Sequence, residues 1–140
     1  MKPSEEVRRG ELEGLLVEEE DRNVDKLMAD VLTGRIAVEK ATGRVVPRAG
    51  LYRLSEQRRL LLLLLAPHAA RKLGHADAQL ELSPEQLASQ GQVPIKNCRE
   101  QLSRLKGQGV ISRGSNGYLL PPWNVLLAAE TLSTGGTRSA

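Results

Sequence analysis

Apolar and polar positions alternate most regularly in residues 82–120, and they predict two short helices followed by a hairpin. The first helix covers residues 84–90 and buries two apolar side chains on one face. A serine and a glutamine three residues apart can form a capping box at its start, and we expect a glycine to end it in the left-handed conformation. The capping pair is Ser83 and Gln86, the buried side chains are Leu87 and Ala88, and the glycine is Gly91.

The second helix is predicted to begin at Pro94 or Ile95 and to reach about Gly107, after a turn that buries Val93. Apolar residues at helical spacing define its buried face, and the remaining positions are polar and mostly basic. The buried face consists of Cys98, Leu102 and Leu105, and the polar positions are Lys96, Asn97, Arg99, Gln101, Ser103, Arg104 and Lys106.

A hairpin follows, with strands predicted over residues 110–112 and 118–120, because β-branched and apolar residues flank a turn sequence there. The turn over residues 113–117 ends in Asn-Gly, which favours positive φ, and Arg113 makes the hairpin basic. Residues 79–82 alternate between polar and apolar, as a short strand does, and would pair with this hairpin.

The order helix, strand, helix, helix, strand, strand is that of a winged helix-turn-helix. The residues LSPEQLASQGQVPIKNCREQLSRLKGQGVISR, at positions 82–113, resemble the winged-helix motif of bacterial and archaeal regulators. The resemblance implies a mostly α fold with a small β wing (α+β). It also implies that the helix 94–107 enters the major groove of DNA and that the wing, residues 110–120, lies on the backbone.

The resemblance implies a DNA-binding surface on the second helix and the wing. Lysine and arginine pair with guanine or phosphate, and asparagine pairs with adenine. The sequence departs from the motif at Ile95, where a small polar residue is common, and at Glu100, whose charge repels phosphate. The same side chains also fit an ordinary solvated helix face. The predicted DNA-binding residues are Lys96, Asn97, Arg99, Ser103, Arg104, Lys106 and Arg113.

The N-terminal part is predicted to be a helical and hairpin extension. Residues 1–22 are acidic and suggest at most a marginal helix, which is either a solvated face or a competitor of DNA for the basic surface. A better helix covers residues 24–33, with Asn23 as its N-cap and Gly34 at its end. A basic hairpin over residues 35–49 follows, either as a second phosphate-contacting arm or as a cover for the core.

A long helix over residues 54–73, with Ser55 as its N-cap, carries a run of six leucines that begins at Leu60 and ends at Leu65. Leucine on every side of a helix requires more than one buried face, and Pro67 should kink the helix or divide it. The second face is covered by residues 24–50 with the N-terminal helix, by the C-terminal helix, or by a second subunit, which would make the protein a homodimer through the leucine run.

A last helix is predicted over residues 123–132, with Trp123 as a packing anchor, and the Gly/Ser/Thr-rich end of the chain is expected to be disordered. The chain is thus divided into an N-terminal extension, a winged-helix domain with a C-terminal helix, and a tail. Their bounds are residues 1–50, 51–132 and 133–140.

Charge is distributed unevenly along the chain, whose net charge is +3. Residues 1–34 contain 5 basic and 10 acidic residues, a net charge of −5, whereas residues 35–140 contain 15 and 7, a net charge of +8. The basic part includes the predicted winged helix, which fits a polyanionic partner as well as a solvated basic surface. One Trp, two Tyr and no Phe argue against RNA recognition by stacked aromatic rings.

Patterns typical of catalysis, metal binding or membrane insertion do not occur in the sequence. The single cysteine excludes an internal disulfide, and His68, expected to be partly exposed, has no second ligand at a metal-binding spacing. Neither a phosphate-binding glycine loop nor a nucleophile elbow is found. The leucine run is far shorter than the ~20 residues that span a bilayer. We therefore expect a cytoplasmic protein that is not an enzyme and that needs no cofactor or membrane.

Double-stranded DNA binding is the function that these patterns favour, and transcriptional regulation is the commonest use of the architecture. Two alternatives remain. The winged helix could be a protein–protein interaction module, which Ile95 and Glu100 would suit. It could also belong to a nucleoid or replication protein that binds DNA without sequence preference.

Overall fold

The computed structural model of the chain describes residues 20–136, which are mostly helical with small antiparallel hairpins. This confirms the mostly α fold with a minor β part. The helices are α1 (Glu20–Leu32), α2 (Glu56–Lys72), α3 (Pro84–Gly91), α4 (Ile95–Gly107) and α5 (Val125–Gly136). The strands are β1 (Ile36–Val38), β2 (Val45–Pro47), β3 (Ser112–Arg113) and β4 (Tyr118–Leu119). Two 3₁₀ turns, Ala49–Arg53 and Pro122–Asn124, precede α2 and α5.

Helix α2 is the centre of the core. The hydroxyl of Ser55 caps it, as predicted, by accepting a hydrogen bond from the backbone N–H of Arg58. Its six leucines are each at most 3% exposed, because α1, α3, α4 and α5 of the same chain pack around it. The predicted homodimer interface at the leucine run is therefore wrong, since no leucine side chain of the run is left for a second subunit.

Helix α2 continues without a break through Pro67, so of the two predicted outcomes, a kink or a division, the division is wrong. A proline inside a helix removes one backbone hydrogen bond and costs about 3 kcal/mol or more. The leucine run before Pro67 and the residues Ala66, His68 and Ala70 around it are buried. Their packing holds the helix together on both sides of the missing bond.

Helix α1 already includes Asn23, so the prediction of an N-cap there is wrong. The preceding residues 20–22 contain two acidic side chains and no helix breaker, and acidic residues are favoured in the first turn of a helix. Met28 and Val31 bury its inner face against the core, and Gly34 ends it at φ +80°, as predicted. Residues 1–19 of the predicted marginal helix lie outside the described residues.

Strands β1 and β2 form the hairpin predicted over residues 35–49, although each strand is shorter than expected. Ile36 lies opposite Pro47, and Gly43 adopts φ +76° in the connecting turn. Ile36 is buried, and Val38 and Val45 pack against the core. The hairpin therefore covers part of the core. Its second predicted role, as a phosphate-contacting arm, stays a prediction.

Helix α3 begins with the predicted capping box. The hydroxyl of Ser83 accepts from the N–H of Gln86 at 3.1 Å, and Oε1 of Gln86 accepts from the N–H of Ser83 at 2.9 Å. The prediction for its end is wrong, because Gln92 rather than Gly91 adopts the left-handed conformation, at φ 52°. A Cβ at Gly91 would lie 3.3 Å from Cδ1 of Leu63, so the glycine instead lets α3 approach α2 closely.

His68 is only 9% exposed, so the prediction of a partly exposed histidine is wrong. It lies on the side of α2 that faces the end of β4, where its Nε2 donates to the carbonyl oxygen of Leu120 at 2.7 Å. Burial is the main cause that lowers the pKa of His68 from its ordinary value of 6.5, and the nearby charge of Arg71 lowers it further, against the opposing effect of the Leu120 hydrogen bond.

Helix α5 extends past the predicted end at residue 132, so residues 133–136 are helical and the prediction of disorder there is wrong. Residues 137–140 lie outside the described residues. Trp123 is 80% exposed and does not anchor the helix. The adjacent Asn124 holds this segment instead, because its Nδ2 donates to the carbonyl oxygens of Gly109 and Val110 at 2.9 Å each.

Candidate nucleic-acid interface

Helix α4 presents a polar face to solvent because its other face is fixed in the core. Cys98, Leu102 and Leu105 are buried, as predicted from their spacing, and Val93 in the preceding turn is buried as well. The polar positions on the outer side are therefore held in a defined orientation. The exposed residues of this face are Lys96, Arg99, Glu100, Ser103, Arg104 and Lys106.

An arginine of α2 fixes the turn between α3 and α4. The guanidinium of Arg59 donates to the carbonyl oxygens of Leu54 at 3.0 Å, Tyr52 at 3.1 Å and Gly91 at 3.2 Å. The hydroxyl of Tyr52 donates to the carbonyl oxygen of Gln90 at 3.0 Å. Sequence reasoning missed this contact, because Arg59 is one of many basic residues and its acceptors are carbonyl groups, which no sequence pattern marks.

Two of the predicted DNA-binding residues are already hydrogen-bonded within the protein. Nδ2 of Asn97 donates to Oε1 of Glu56, at the start of α2, at 3.2 Å. Nη2 of Arg99 lies 2.6 Å from Oε2 of Glu85 on α3 and forms a salt bridge with it. These contacts compete with a base or a phosphate for the two side chains, because they fix where the amide and the guanidinium lie.

Carboxylates accompany the cations of this surface. Lys96, Arg99, Arg104 and Lys106 give α4 four positive charges, and Glu100 lies among them on the same helix. Glu56 and Glu85 border the helix through the contacts just described. The positive field outside α4 is therefore weaker than the lysines and arginines alone would produce.

The second hairpin follows α4 and carries Arg113 beside it. Arg113 pairs with Tyr118 across the two strands, and its guanidinium lies 5.7 Å from the centre of the Tyr118 ring. The strand predicted over residues 110–112 starts only at Ser112. This prediction is wrong for the first two residues, because the N–H of Val110 donates to the Leu105 carbonyl and thus closes the end of α4.

The strand predicted over residues 79–82 is reduced to a single bridge, so most of that prediction is wrong. Leu82 and Tyr118 exchange two backbone hydrogen bonds of 2.8 Å, which join the segment before α3 to β4. The expected pairing with the hairpin is present at this one position. Residues 79–81 lie outside any strand, and the hairpin itself has only two residues in each strand.

The carboxylate of Glu81 fills the loop of this hairpin, which sequence reasoning did not anticipate. Its Oε2 accepts from the backbone N–H of Asn116 at 2.5 Å, and its Oε1 occupies the space where a Cβ of Gly114 would lie. Neither Asn116 nor Gly117 has the positive φ predicted for them. Gly117 is instead required for close approach, because a Cβ there would overlap the Leu82 carbonyl group.

The chemical properties of the cysteine and of possible metal ligands can be described for residues 20–136. Burial raises the pKa of the Cys98 thiol to about 11, so this thiol stays protonated and is a poor nucleophile at neutral pH. In the same range, no group of three His, Cys, Asp or Glu side chains is arranged to hold a metal ion. None of the described helices is both long and apolar enough to cross a membrane.

Comparison with known proteins leaves the chain without an assigned family. No family model matches it, and neither a curated protein nor a solved structure matches it.

Proposed function

We propose that this protein is a winged-helix protein that binds double-stranded DNA. In this proposal α3 and α4 form the helix-turn-helix, α4 enters the major groove, and the β3–β4 hairpin is the wing that lies on the DNA backbone. The observation that carries the proposal is the exposed basic face of α4, which faces solvent directly before a hairpin with its own exposed arginine. The Leu82–Tyr118 bridge supports it by tying the hairpin to the start of α3.

The polar side chains of this surface divide into those that would reach base edges and those that would contact phosphates. Lys96 at the start of α4 is the cation best placed for base edges, since the N-terminal part of a recognition helix reaches deepest into the groove. Asn97 and Arg99 join it after leaving Glu56 and Glu85. The phosphate contacts in this proposal come from Ser103, Arg104, Lys106 and Arg113.

Transcriptional regulation is the use that we propose for this binding. A regulator must distinguish sequences, and good bidentate contacts to base edges supply about 1–3 kcal/mol of discrimination each. Asn97 and Arg99 are the side chains that could make such contacts, so discrimination depends on their release. Equal affinity for unrelated duplexes would instead indicate a nucleoid or replication protein without sequence preference.

The proposal is tested by fluorescence anisotropy with a random-sequence duplex at several salt concentrations. We expect affinity to fall steeply as salt rises, because phosphate contacts release counterions. The double variant Lys96→Ala, Lys106→Ala should bind more weakly, and the loss of the phosphate contact of Lys106 should reduce its salt slope by about one.

A matched control is the double variant Lys26→Ala, Lys40→Ala, which removes two exposed lysines from α1 and the first hairpin. It has the same net charge as the test variant and should retain most of the affinity. If the two double variants lose affinity equally, the interaction is with net charge and not with α4. If the unaltered protein does not bind the duplex at low salt, the proposal is wrong.

A protein-docking module is the second candidate, and one observation favours it. Ile95, the first residue of α4, is 42% exposed, and α4 also carries the exposed Glu100 and basic side chains. An exposed apolar side chain with mixed charges around it is typical of a protein interface. If the protein is a docking module, Ile95→Ser should abolish capture of its protein partner. The unaltered protein should then have no affinity for duplex DNA at physiological salt.

A further inference from the structure

A pocket of about 360 Å³ lies between the C-terminal half of α2, Val24 of α1 and the segment formed by the 3₁₀ turn before α5 and the start of α5. Trp123 forms one wall, and this residue is 80% exposed in the folded chain. Exposed tryptophan side chains are enriched at binding interfaces, so Trp123 is a candidate for contact with another molecule. The other apolar side chains of the wall are Val24, Pro122, Val125 and Leu126.

The pocket also contains an arginine that forms no ion pair with any side chain described in residues 24–134. Arg71 lines it, and Nε of Arg71 donates to the carbonyl oxygen of Ala78 at 2.8 Å. This contact anchors the guanidinium and leaves the N–H groups of its two terminal nitrogens to donate elsewhere. Nζ of the neighbouring Lys72 lies 2.8 Å from Oδ1 of Asp25, so its charge is compensated, and the described residues that line the pocket carry one net positive charge.

His68 forms the buried side of the pocket and is neutral at pH 7. Because a carbonyl oxygen only accepts, Nε2 of His68 must carry the proton that it donates to Leu120. The neutral ring therefore adds a flat surface without a second positive charge. Arg71 remains the one side chain of the pocket that can pair with an anion while its other contacts stay in place.

We propose that this pocket binds a small monocarboxylic acid with a flat apolar body, of the arylacetate type. Its ring would stack on Trp123 and its carboxylate would pair with Arg71, whose planar guanidinium matches a carboxylate in a bidentate pair. The volume is at the lower end of the ~300–1,000 Å³ of small-molecule sites, which limits the ligand to one or two rings. The single net charge favours a monoanion over a dianion.

The pocket adjoins the hairpin, since the backbone carbonyl that His68 holds belongs to Leu120, directly after β4. Ligand binding is nevertheless a separate property from the proposed function, because it is measured without DNA. A failure to bind duplex and a failure to bind a carboxylic acid can therefore be told apart.

Trp123 is the only tryptophan of the chain, so its fluorescence reports on this pocket directly. Phenylacetate is the probe, and phenylacetamide is the neutral control of the same shape. We expect phenylacetate to change the emission saturably, with a Kd of about 1 mM or tighter. Arg71→Gln should weaken phenylacetate binding about tenfold and leave phenylacetamide unchanged, whereas the exposed Arg48→Gln should change neither.

A second variant keeps the test decisive if Arg71→Gln perturbs the loop that ends at Ala78. Trp123→Ala removes an exposed ring and should fold normally, and isothermal titration calorimetry should then record the loss of phenylacetate binding. The proposal is overturned if neither fluorescence nor calorimetry detects binding below about 10 mM. It is also overturned if acid and amide bind equally, or if Trp123→Ala binds phenylacetate as well as the unaltered protein.

Discussion

Nη2 of Arg99 on α4 lies 2.6 Å from Oε2 of Glu85 on α3, and both side chains are more than half exposed. Water screens so exposed a pair, and such pairs contribute only about 0–1 kcal/mol to stability. A DNA phosphate could therefore replace the carboxylate at small cost to the fold. The carboxylate would still repel that phosphate, so the pair affects duplex affinity more than stability.

Glu85→Gln should raise affinity for random-sequence duplex several-fold and steepen its salt dependence, because Arg99 becomes available and one negative charge is removed. The free energy of unfolding should change by less than about 1 kcal/mol. Anisotropy and urea denaturation measure the two quantities. Glu39→Gln, which releases Arg44 on the first hairpin, is the matched control and should leave the salt slope unchanged. An equal gain in both variants would contradict a role for the Arg99–Glu85 pair.

Arg59→Lys should destabilise the protein by roughly 2–4 kcal/mol, because a lysine ammonium cannot reach the three carbonyl oxygens that the guanidinium bonds. Urea denaturation measures the loss. Arg58→Lys provides the comparison at the next position, where one hydrogen bond to the Thr131 carbonyl is at risk. Its effect should stay below about 1 kcal/mol, and equal losses at the two positions would show that Arg59 does not clamp the turn.

Local signals predicted most of the helical framework. The period of Cys98, Leu102 and Leu105 identified the buried face of α4, because burial follows directly from helical spacing. The capping box of Ser83 and Gln86 was found because its two partners are three residues apart. Helical spacing and the capping box are local patterns that the structure confirms, whereas the local end signals at Asn23 and Gly91 were wrong.

Predictions that depended on distant contacts were incomplete. Asn97 and Glu56 are 41 positions apart, so no local pattern could indicate that the amide of Asn97 is already bonded. The Asn-Gly turn was expected to need positive φ, but close approach to Leu82 is what requires Gly117. Trp123 was predicted to be a packing anchor, but it is exposed, and the pocket beside it is formed by residues from three separate segments.

Gly117→Ala should destabilise the protein by about 2 kcal/mol or more, since the added methyl overlaps backbone atoms of Leu82 that cannot move aside independently. The bridge between Leu82 and Tyr118 should open, and amide hydrogen exchange at Tyr118 should become faster. Gly107→Ala is the matched substitution at the end of α4, where a Cβ meets no atom within 4 Å. It should be neutral or stabilising by up to about 1 kcal/mol. Similar effects at both positions would contradict the steric explanation.

Burial of His68 should make stability depend on pH. Its pKa is lowered below the ordinary 6.5 in the folded protein, mainly by burial and further by Arg71. As the pH falls below 6.5, His68 therefore becomes protonated in the unfolded chain before it becomes protonated in the folded protein. The stability contributed by neutral His68 is complete above pH 6.5 and decreases below it, by at most about 1.4 kcal/mol per pH unit.

His68→Gln should flatten this decrease between about pH 7 and pH 5, a range above the titration of most carboxylates. A glutamine amide can still donate to the Leu120 carbonyl but does not titrate in that range. Urea denaturation across the range measures the change, and His75→Gln is the control that should keep the decrease. If His68→Gln and the unaltered protein lose stability in parallel, the folded structure does not oppose protonation of His68. The assignment of a neutral imidazole to the pocket would then be wrong.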